Sequence, residues 1–268
     1  MLRPREDPDQ ELVFERLLIT PEPTRLRIER DRLGNFVAIA RFSGAASELC
    51  FDSEVLVARP TQPSMIDIPL PGLRPFPLRG RGSDGDVARW AWSFVSQGGW
   101  AGLDAMAAMN AHIHRAFAYR RRLESGVQSP EDTLASRSGA CRDFAVLLVE
   151  AARILDLPAR FVSGYVHCPE PDGSAARTSG GHTHAWAQVH TPEAGWVDLD
   201  PTSGRVGPDG LVRIAVVEHP RDAAPIQGVY HGAANDFLHM QVQVNVEAAP
   251  EATLFLHAPE PLPVRSVA

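Results

Sequence analysis

Cys141 is the residue whose position most directly suggests chemistry, because it stands at the start of an apolar helical pattern that runs from Phe144 to Leu155. Amide N–H groups at a helix start lack partners within the helix, and with the helix dipole they favour the nucleophilic thiolate form of a cysteine. Most free cysteines are instead small buried apolar residues, so position alone leaves both interpretations open. A nucleophile at Cys141 also needs a base, which directs attention to the histidines.

His184 opens the first of two predicted strands, residues 184–190 and 195–200, that a short turn joins into a hairpin. If residue 190 faces residue 194, His184 lies directly opposite Asp200. If residue 190 faces residue 196, Asp200 is the diagonal neighbour of His184. Both registers keep the two side chains on one face of the sheet, whereas an odd shift would separate them. An imidazole held by Asp200 through one nitrogen can serve Cys141 through the other, which is the logic of a Cys-His-Asp triad.

Alternatives remain open for each of these residues. Asp198 lies on the same strand face as Asp200 and is a second candidate for the orienting carboxylate, and an ordinary cross-strand His–Asp pair would look the same in sequence. A zinc site is only weakly indicated, since the sequence has no Cys-x-x-Cys or His-x-x-x-His pair to support one. Its candidate ligands are Cys141, His167, Cys168, His182 and His184. We therefore predict neither a metal nor an organic cofactor.

The elements that would position these residues are three helices followed by several strands. The first helix is capped by Ser83 or Asp84, and the third is stopped at 156–158. Strands are predicted at 159–166, 184–190, 195–200 and 211–217. Apolar residues alternate with polar ones from Leu238 to Val246, which predicts a half-buried strand. The apolar positions of the first two helices are Val87, Trp90, Ala91 and Phe94, then Leu103, Met106, Ala107, Ile113 and Phe117.

The same texture predicts a domain organisation. Residues 1–60 form a small β domain, with strands at 34–42 and 48–57 and a turn over Asp31–Asn35. Prolines then exclude helix and central strand, so 61–82 is interpreted as a linker. Residues 83–257 form the main domain, and 258–268 a flexible tail.

Composition excludes several classes of function. The 268 residues are 44% hydrophobic and 22% charged, which is typical of a globular protein. The net charge of −7 argues against nucleic-acid binding, which needs concentrated positive charge. No apolar run of membrane-spanning or signal-peptide length occurs, and three cysteines are an odd number. We expect a cytoplasmic protein with free thiols and no membrane partner.

Three segments together resemble the bacterial transglutaminase-like family, whose fold is similar to that of papain-type cysteine proteases. They are GACRDFAVLLVEAARILDLPARFVSGYV, THAWAQVHTPEAGWVDLDPTSG and RDAAPIQGVYHG, and the likeness is collinear from about residue 86 to residue 246. The resemblance implies an α+β fold, in which a helix-borne cysteine packs on an antiparallel sheet behind a small, shortened N-terminal β domain. Residues 83–257 would then be the catalytic domain.

The resemblance also implies roles for individual residues. Cys141 would be the nucleophile, His184 the base and acid, and Asp200 the orienting carboxylate. The backbone N–H of Cys141 is expected to stabilise the oxyanion. Four further residues are expected near the substrate: Arg142, where many relatives have glutamine, Asp143, Trp186 and Trp196.

The implied reaction is acyl transfer from a peptide or other amide through a thioester. Hydrolysis is favoured over protein cross-linking, since a cytoplasmic cross-linker would damage its host. Transamidation and a non-catalytic binding or scaffold role on the same fold are the alternatives.

Overall fold

The computed structural model describes residues 1–59, 85–122, 124–167, 183–233 and 235–249. The predicted linker, the tail, Cys168 and His182 lie outside these residues. The helices are α1 (Asp86–Ser96), α2 (Gly102–Ala116), α3 (Pro130–Ser136) and α4 (Cys141–Ile154), and a 3₁₀ turn covers Pro220–Ala223. The strands are β1 (Glu11–Thr20), β2 (Arg25–Arg30), β3 (Phe36–Arg41), β4 (Cys50–Ala58), β5 (Ala118–Tyr119), β6 (Ser138–Gly139), β7 (Ala159–Val166), β8 (His184–Thr191), β9 (Gly195–Asp200), β10 (Arg205–Val206) and β11 (Leu211–Val217).

The centre of the molecule is α4 packed on an antiparallel five-stranded sheet with the order β10-β9-β8-β7-β11. The apolar stripe of α4 is buried against β8 and β7, and burial of this kind contributes about 25 cal/mol per Å² of apolar surface. The helix ends where Asp156 adopts a left-handed conformation with φ 57°. The residues of the stripe that are fully or almost fully buried are Phe144, Leu147, Leu148, Ala151 and Ala152. The predicted third helix and the four strands that follow it are confirmed.

Helices α1 and α2 cover the same side of the sheet as α4 and confirm the predicted first and second helices. Val87 and Ala91 of α1 are buried, and Trp90 and Phe94 pack against the core around them. Helix α3 was not predicted from the sequence. It has a clear start signal, since Ser129 accepts a hydrogen bond from Asp132 N at 3.0 Å and Pro130 occupies the first helical position.

The N-terminal residues form two antiparallel pairs, β1 with β4 and β2 with β3. The predicted turn before β3 is confirmed, because Asp31 Oδ1 accepts the backbone N–H groups of Leu33 and Asn35 at 2.8 and 2.9 Å. The limits of the predicted domains remain a prediction, because 60–84 lie outside the described ranges. The described ranges do confirm the predicted fold class, a strand-rich N-terminal region followed by a mixed helix-and-sheet core.

Two buried amide side chains attach the N-terminal region to β11, an edge strand of the core sheet. Gln10 donates to Arg213 O at 2.9 Å and accepts from Arg213 N at 2.8 Å. Asn35 makes the same pair of bonds with Val216, both at 2.8 Å. Each amide therefore replaces a peptide group of a neighbouring strand and satisfies an edge that would otherwise be unpaired.

The strand predicted from Leu238 to Val246 is wrong. The structure gives these residues no regular secondary structure, and Leu238 and Met240 are 84% and 63% exposed. A period of two encodes one apolar face, but a strand also needs a hydrogen-bonded neighbour. Within the described ranges no strand pairs with this segment.

Candidate active site

Cys141 is the first residue of α4 and follows the cap residue Ala140. It is neither fully buried nor exposed, and it packs beside Ala145, Phe161 and Ala185. As the first helical residue, its backbone N–H points out of the helix without an intrahelical acceptor. The helix therefore places the sulfur and a free amide donor at the same point, as the sequence predicted.

Asp143 stabilises the start of α4 from the buried side of the helix. Its side chain is fully buried, and Oδ2 accepts the N–H of Ala140 at 2.9 Å. Oδ1 accepts from Gln128 N at 2.7 Å and from the guanidinium of Arg122 at 2.8 Å. The buried carboxylate of Asp143 therefore fixes the helix that carries Cys141, whereas its predicted place near the substrate stays a prediction.

The side chain of Arg142, the residue after Cys141, is bonded to the segment that precedes α3. Its guanidinium donates to the carbonyl oxygens of Glu124 and Arg122 at 2.5 and 3.4 Å. These bonds hold the Arg142 side chain against the segment before α3. The resemblance placed Arg142 near the substrate because it directly follows Cys141, and that role stays a prediction.

His184 and Asp200 meet across the β8–β9 hairpin. The register pairs residue 190 with Trp196, which is the second of the two registers considered, so Asp200 is the diagonal neighbour of His184. His184 Nε2 lies 3.0 Å from Asp200 Oδ2, and the two side chains are 5% and 0% exposed. Asp200 further accepts Thr202 N at 2.9 Å and Ser203 Oγ at 2.5 Å. Three groups, His184 Nε2, Thr202 N and Ser203 Oγ, thus hold the carboxylate of Asp200.

The buried charges reinforce one another. Burial lowers the pKa of His184, but the carboxylate of Asp200 and a hydrogen bond with Cys141 outweigh it and raise this pKa to about 10. Burial raises the pKa of Asp200, yet the charge of His184 and the bonds from Ser203 and Thr202 bring it below its usual value. At neutral pH the histidine is therefore an imidazolium between a carboxylate and the Cys141 sulfur.

The rival carboxylate Asp198 is engaged elsewhere. It accepts the indole N–H of Trp186 at 2.6 Å and lies 3.2 Å from the guanidinium of Arg213. Trp186 is fully buried, and its ring stacks on that of His184 with centroids 6.0 Å apart. Trp186 therefore borders the imidazole as a buried ring, and its place near the substrate stays a prediction. Asp198 therefore orients the Trp186 ring, and Asp200 orients His184.

Trp196 lies near the turn of the hairpin, at the opposite end from His184, and its place near the substrate stays a prediction. Its ring contacts His190 at 5.3 Å and is covered by the guanidinium of Arg160 at 3.9 Å. His190 is six residues beyond His184, which is roughly 20 Å along an extended strand. The predicted hairpin is confirmed, and its register pairs Trp196 with His190, which separates Trp196 from His184.

Sequence reasoning missed the residues that support the turn after Asp200. Asn110 of α2 donates to Arg205 O at 3.0 Å, and His114 Nδ1 lies 2.9 Å from Thr202 O. Asn110 and His114 are four residues apart and so share one helix face. Two polar residues at that spacing in an apolar helix are the signal that would have found them.

Metal and membrane alternatives find no further support within the described ranges. These residues contain no group of three or more His, Cys, Asp or Glu that could hold a metal ion. Of the zinc candidates, Cys168 and His182 lie outside the described residues, and His184 is directed at Asp200. No helix in the described part of the chain is long and apolar enough to cross a membrane.

Comparison with known proteins gives two family matches. Residues 95–201 match the transglutaminase-like superfamily, and residues 1–58 match the bacterial transglutaminase-like N-terminal region. A structure described as a proposed cysteine protease from Cytophaga hutchinsonii superposes with a TM-score of 0.58 at 20% identity, covering 83% of this chain and 76% of that one. At that identity the likeness shows a common fold.

Three relatives are similar in sequence. An uncharacterized protein of Mycobacterium leprae (strain TN) is 34% identical over 113 residues, 42% of this chain and 39% of the relative. An uncharacterized protein of Mycobacterium bovis (strain ATCC BAA-935 / AF2122/97) is 25% identical over 280 residues, which are 96% of this chain and 88% of the relative. A protein-glutamine gamma-glutamyltransferase of Pseudomonas aeruginosa is 34% identical over 92 residues, 33% of this chain and 14% of that protein. The chain thus spans less than half of the Mycobacterium leprae and Pseudomonas aeruginosa relatives.

Proposed function

Because residues 95–201 match the transglutaminase-like superfamily and residues 1–58 its bacterial N-terminal region, we propose that this chain is an enzyme that performs cysteine-dependent acyl transfer on an amide or peptide bond. The observation that carries the proposal is the buried His184, whose Nε2 lies 3.0 Å from Asp200 Oδ2 and whose pKa is raised by Asp200 and by Cys141. A buried imidazolium in contact with a cysteine has no evident structural purpose, because burial of a charge is costly. It does stabilise a thiolate nucleophile.

In the first half of the reaction the Cys141 sulfur attacks the carbonyl carbon of the substrate. The carbonyl π electrons move to oxygen, and the backbone N–H of Cys141 donates to the oxyanion that forms. His184 then gives its proton to the leaving nitrogen through the ring atom that faces the sulfur, since Nε2 faces Asp200. The C–N bond breaks, the amine departs, and a thioester remains on Cys141.

In the second half the neutral His184 takes a proton from the incoming acceptor. The acceptor oxygen or nitrogen attacks the thioester carbon, the C–S bond breaks, and the imidazolium–thiolate pair is restored. Asp200 stays ionised throughout, because His184, Thr202 and Ser203 hold its carboxylate and its pKa lies below the usual value. Its part is to orient the ring and to stabilise the positive charge.

We propose water as the acceptor, which makes the reaction a hydrolysis. Cys141 is partly open to solvent, and water needs no binding site of its own to reach a thioester there. Transamidation is the second candidate, because the Pseudomonas aeruginosa protein-glutamine gamma-glutamyltransferase is similar over 92 residues. An amine acceptor requires a pocket that holds the amine and competes with water.

The test is acylation of the purified protein by p-nitrophenyl acetate, followed by release of p-nitrophenol and by the intact mass. We expect acetyl transfer to Cys141 in the wild type, and none above background in Cys141→Ala or His184→Ala. Cys50→Ala is the matched control, since Cys50 is an exposed free thiol outside the site. Adding an amine during turnover then separates hydrolysis from transamidation by the product formed.

A wild type that is acylated no faster than Cys141→Ala would refute the proposal. The fold would then serve as a non-catalytic binding or scaffold module. Partner capture and not substrate screening would be the next step in that case.

A further inference from the structure

Arginine side chains are concentrated around the start of α4, although the net charge of the protein is −7. The members of this cluster, which we call the arginine rim, are Arg115, Arg120, Arg121, Arg137 and Arg142. All of them except Arg142 are exposed. A surface that gathers positive charge in an acidic protein has a local field opposite in sign to the average, and this field attracts anions.

Backbone hydrogen bonds place the rim beside Cys141. Arg120 N donates to Gly139 O at 2.8 Å, and Gly139 lies two residues before Cys141. Ala118 N donates to Arg137 O, also at 2.8 Å, so the end of α3 lies against the short parallel pair of β5 with β6. The rim therefore borders the helix start that carries the sulfur.

The charges of the rim act in the same space as the charge of Cys141. Burial raises the pKa of Tyr119, the negative charge of Cys141 raises it further, and the guanidinium groups of Arg121 and Arg142 lower it. The sulfur and two members of the rim are therefore all within electrostatic range of one hydroxyl. The Arg142 guanidinium bonds to two backbone carbonyl oxygens, which do not neutralise its charge.

The carboxylates of the described residues leave the rim without ion pairs. The ion pairs of this part of the chain belong to Arg122, which lies 2.8 Å from the buried Asp143 and 3.6 Å from Glu124. Two exposed acidic residues stand in the first turn of α3, at the opposite end of that helix from Arg137. The rim therefore presents guanidinium groups that an anionic ligand can bind.

We propose that the acyl donor of this enzyme is an acidic peptide, whose carboxylates bind the arginine rim while its scissile carbonyl meets Cys141. This inference rests on the acyl transfer proposed above and names the substrate class of the same site. Guanidinium groups bind carboxylates through charge-assisted hydrogen bonds, which are about twice as strong as neutral ones. The positive rim also raises the local concentration of anions at the sulfur.

The first test measures the field at the sulfur with two alkylating reagents of similar size, the anionic iodoacetate and the neutral iodoacetamide. Neither reaction needs catalysis, and the ratio of the two rates cancels the fraction of thiolate. Cys50 is the reference, because it is an exposed thiol on β4, which also carries Asp52 and Glu54. We expect a higher ratio of iodoacetate to iodoacetamide rates at Cys141 than at Cys50.

The double variant Arg120→Gln/Arg121→Gln removes two charges from the rim. It should lower the Cys141 ratio by about 3–10-fold at low ionic strength, because each unit charge within about 10 Å changes a reaction with an anion about twofold or more in water. The matched control is Arg25→Gln/Arg41→Gln, which removes two exposed charges from β2 and β3 and should leave the ratio unchanged. A rim variant with the wild-type ratio, or a control variant with the same loss, would overturn the inference.

The second test uses two tripeptide p-nitrophenyl esters, acetyl-Glu-Glu-Gly and its amide counterpart acetyl-Gln-Gln-Gly. We expect kcat/KM of the rim variant to fall by about 3–10-fold with the acidic ester and to stay at the wild-type value with the amide ester. If both esters acylate Cys141 but the rim variant slows neither of them, the substrate class is wrong and the proposed function stands. If neither ester acylates the wild type faster than Cys141→Ala, the proposed function fails, and the substrate class with it.

Discussion

Replacing Asp143 with alanine is expected to destabilise the protein strongly, because three donors depend on this one carboxylate. The N–H of Ala140 is buried and would be left without a partner, which costs about 1–3 kcal/mol. The N–H of Gln128 and the guanidinium of Arg122 are partly exposed, so water can replace the carboxylate, and each loses about 1 kcal/mol. The free energy of unfolding should therefore fall by about 3–5 kcal/mol.

The assay is urea unfolding with linear extrapolation to water. Asp132→Ala is the matched control, because Asp132 is likewise the third residue of a helix, α3, but is exposed. We expect this variant to lose about 1 kcal/mol, the worth of an exposed helix-start carboxylate. Asp143→Asn, which keeps an acceptor, should fall between the two. Equal losses in Asp143→Ala and Asp132→Ala would refute the reasoning that buried donors give Asp143 its importance.

Two further predictions concern the sheet and its charge. A Cβ at Gly164 would overlap the carbonyl oxygen of Val212 and come within 2.6 Å of the Trp186 indole. Gly164→Ala should therefore cost about 1–3 kcal/mol of overpacking, seen as a lower melting temperature, and a wild-type melting temperature would contradict the packing described. The raised pKa of His184 gives the native state a stabilisation that is complete below pH 6.5 and is lost as the pH rises through about 10. Unfolding free energies measured across that window should decline more in wild type than in His184→Gln, and parallel profiles would show that the imidazolium contributes nothing.

Much of the candidate site could be predicted from the sequence because periodicity determines which face a side chain occupies. The apolar stripe that starts at Phe144 identifies α4, and its start places Cys141 at free amide groups. The period of two in β8 and β9 puts His184 and Asp200 on one face in either even register. The proximity of His184 and Asp200 could therefore be predicted without knowing which of the two registers forms.

The parts that could not be predicted depend on contacts distant in sequence. The side chains of Asp143 and Arg142 bind residues 122–128, and no local sequence pattern predicts that this segment lies beside α4. The pairing of β5 with β6, which lies just before Cys141, is two residues long and too short to leave a periodic signal. The segment from Leu238 to Val246 shows the converse, since its pattern is clear but the described strands leave it without a neighbour.

The measurement that tests the central claim most directly is the rate of iodoacetamide alkylation of Cys141 against pH, by peptide mass mapping, in wild type and in His184→Ala. Cys50 in the same samples is the reference for an exposed thiol. The account predicts that wild-type Cys141 is alkylated faster than Cys50 near neutral pH, and that this difference disappears in His184→Ala. A Cys141 profile that coincides with that of Cys50 and does not change on removal of His184 would contradict the ion pair, and with it the proposed catalytic role of the site.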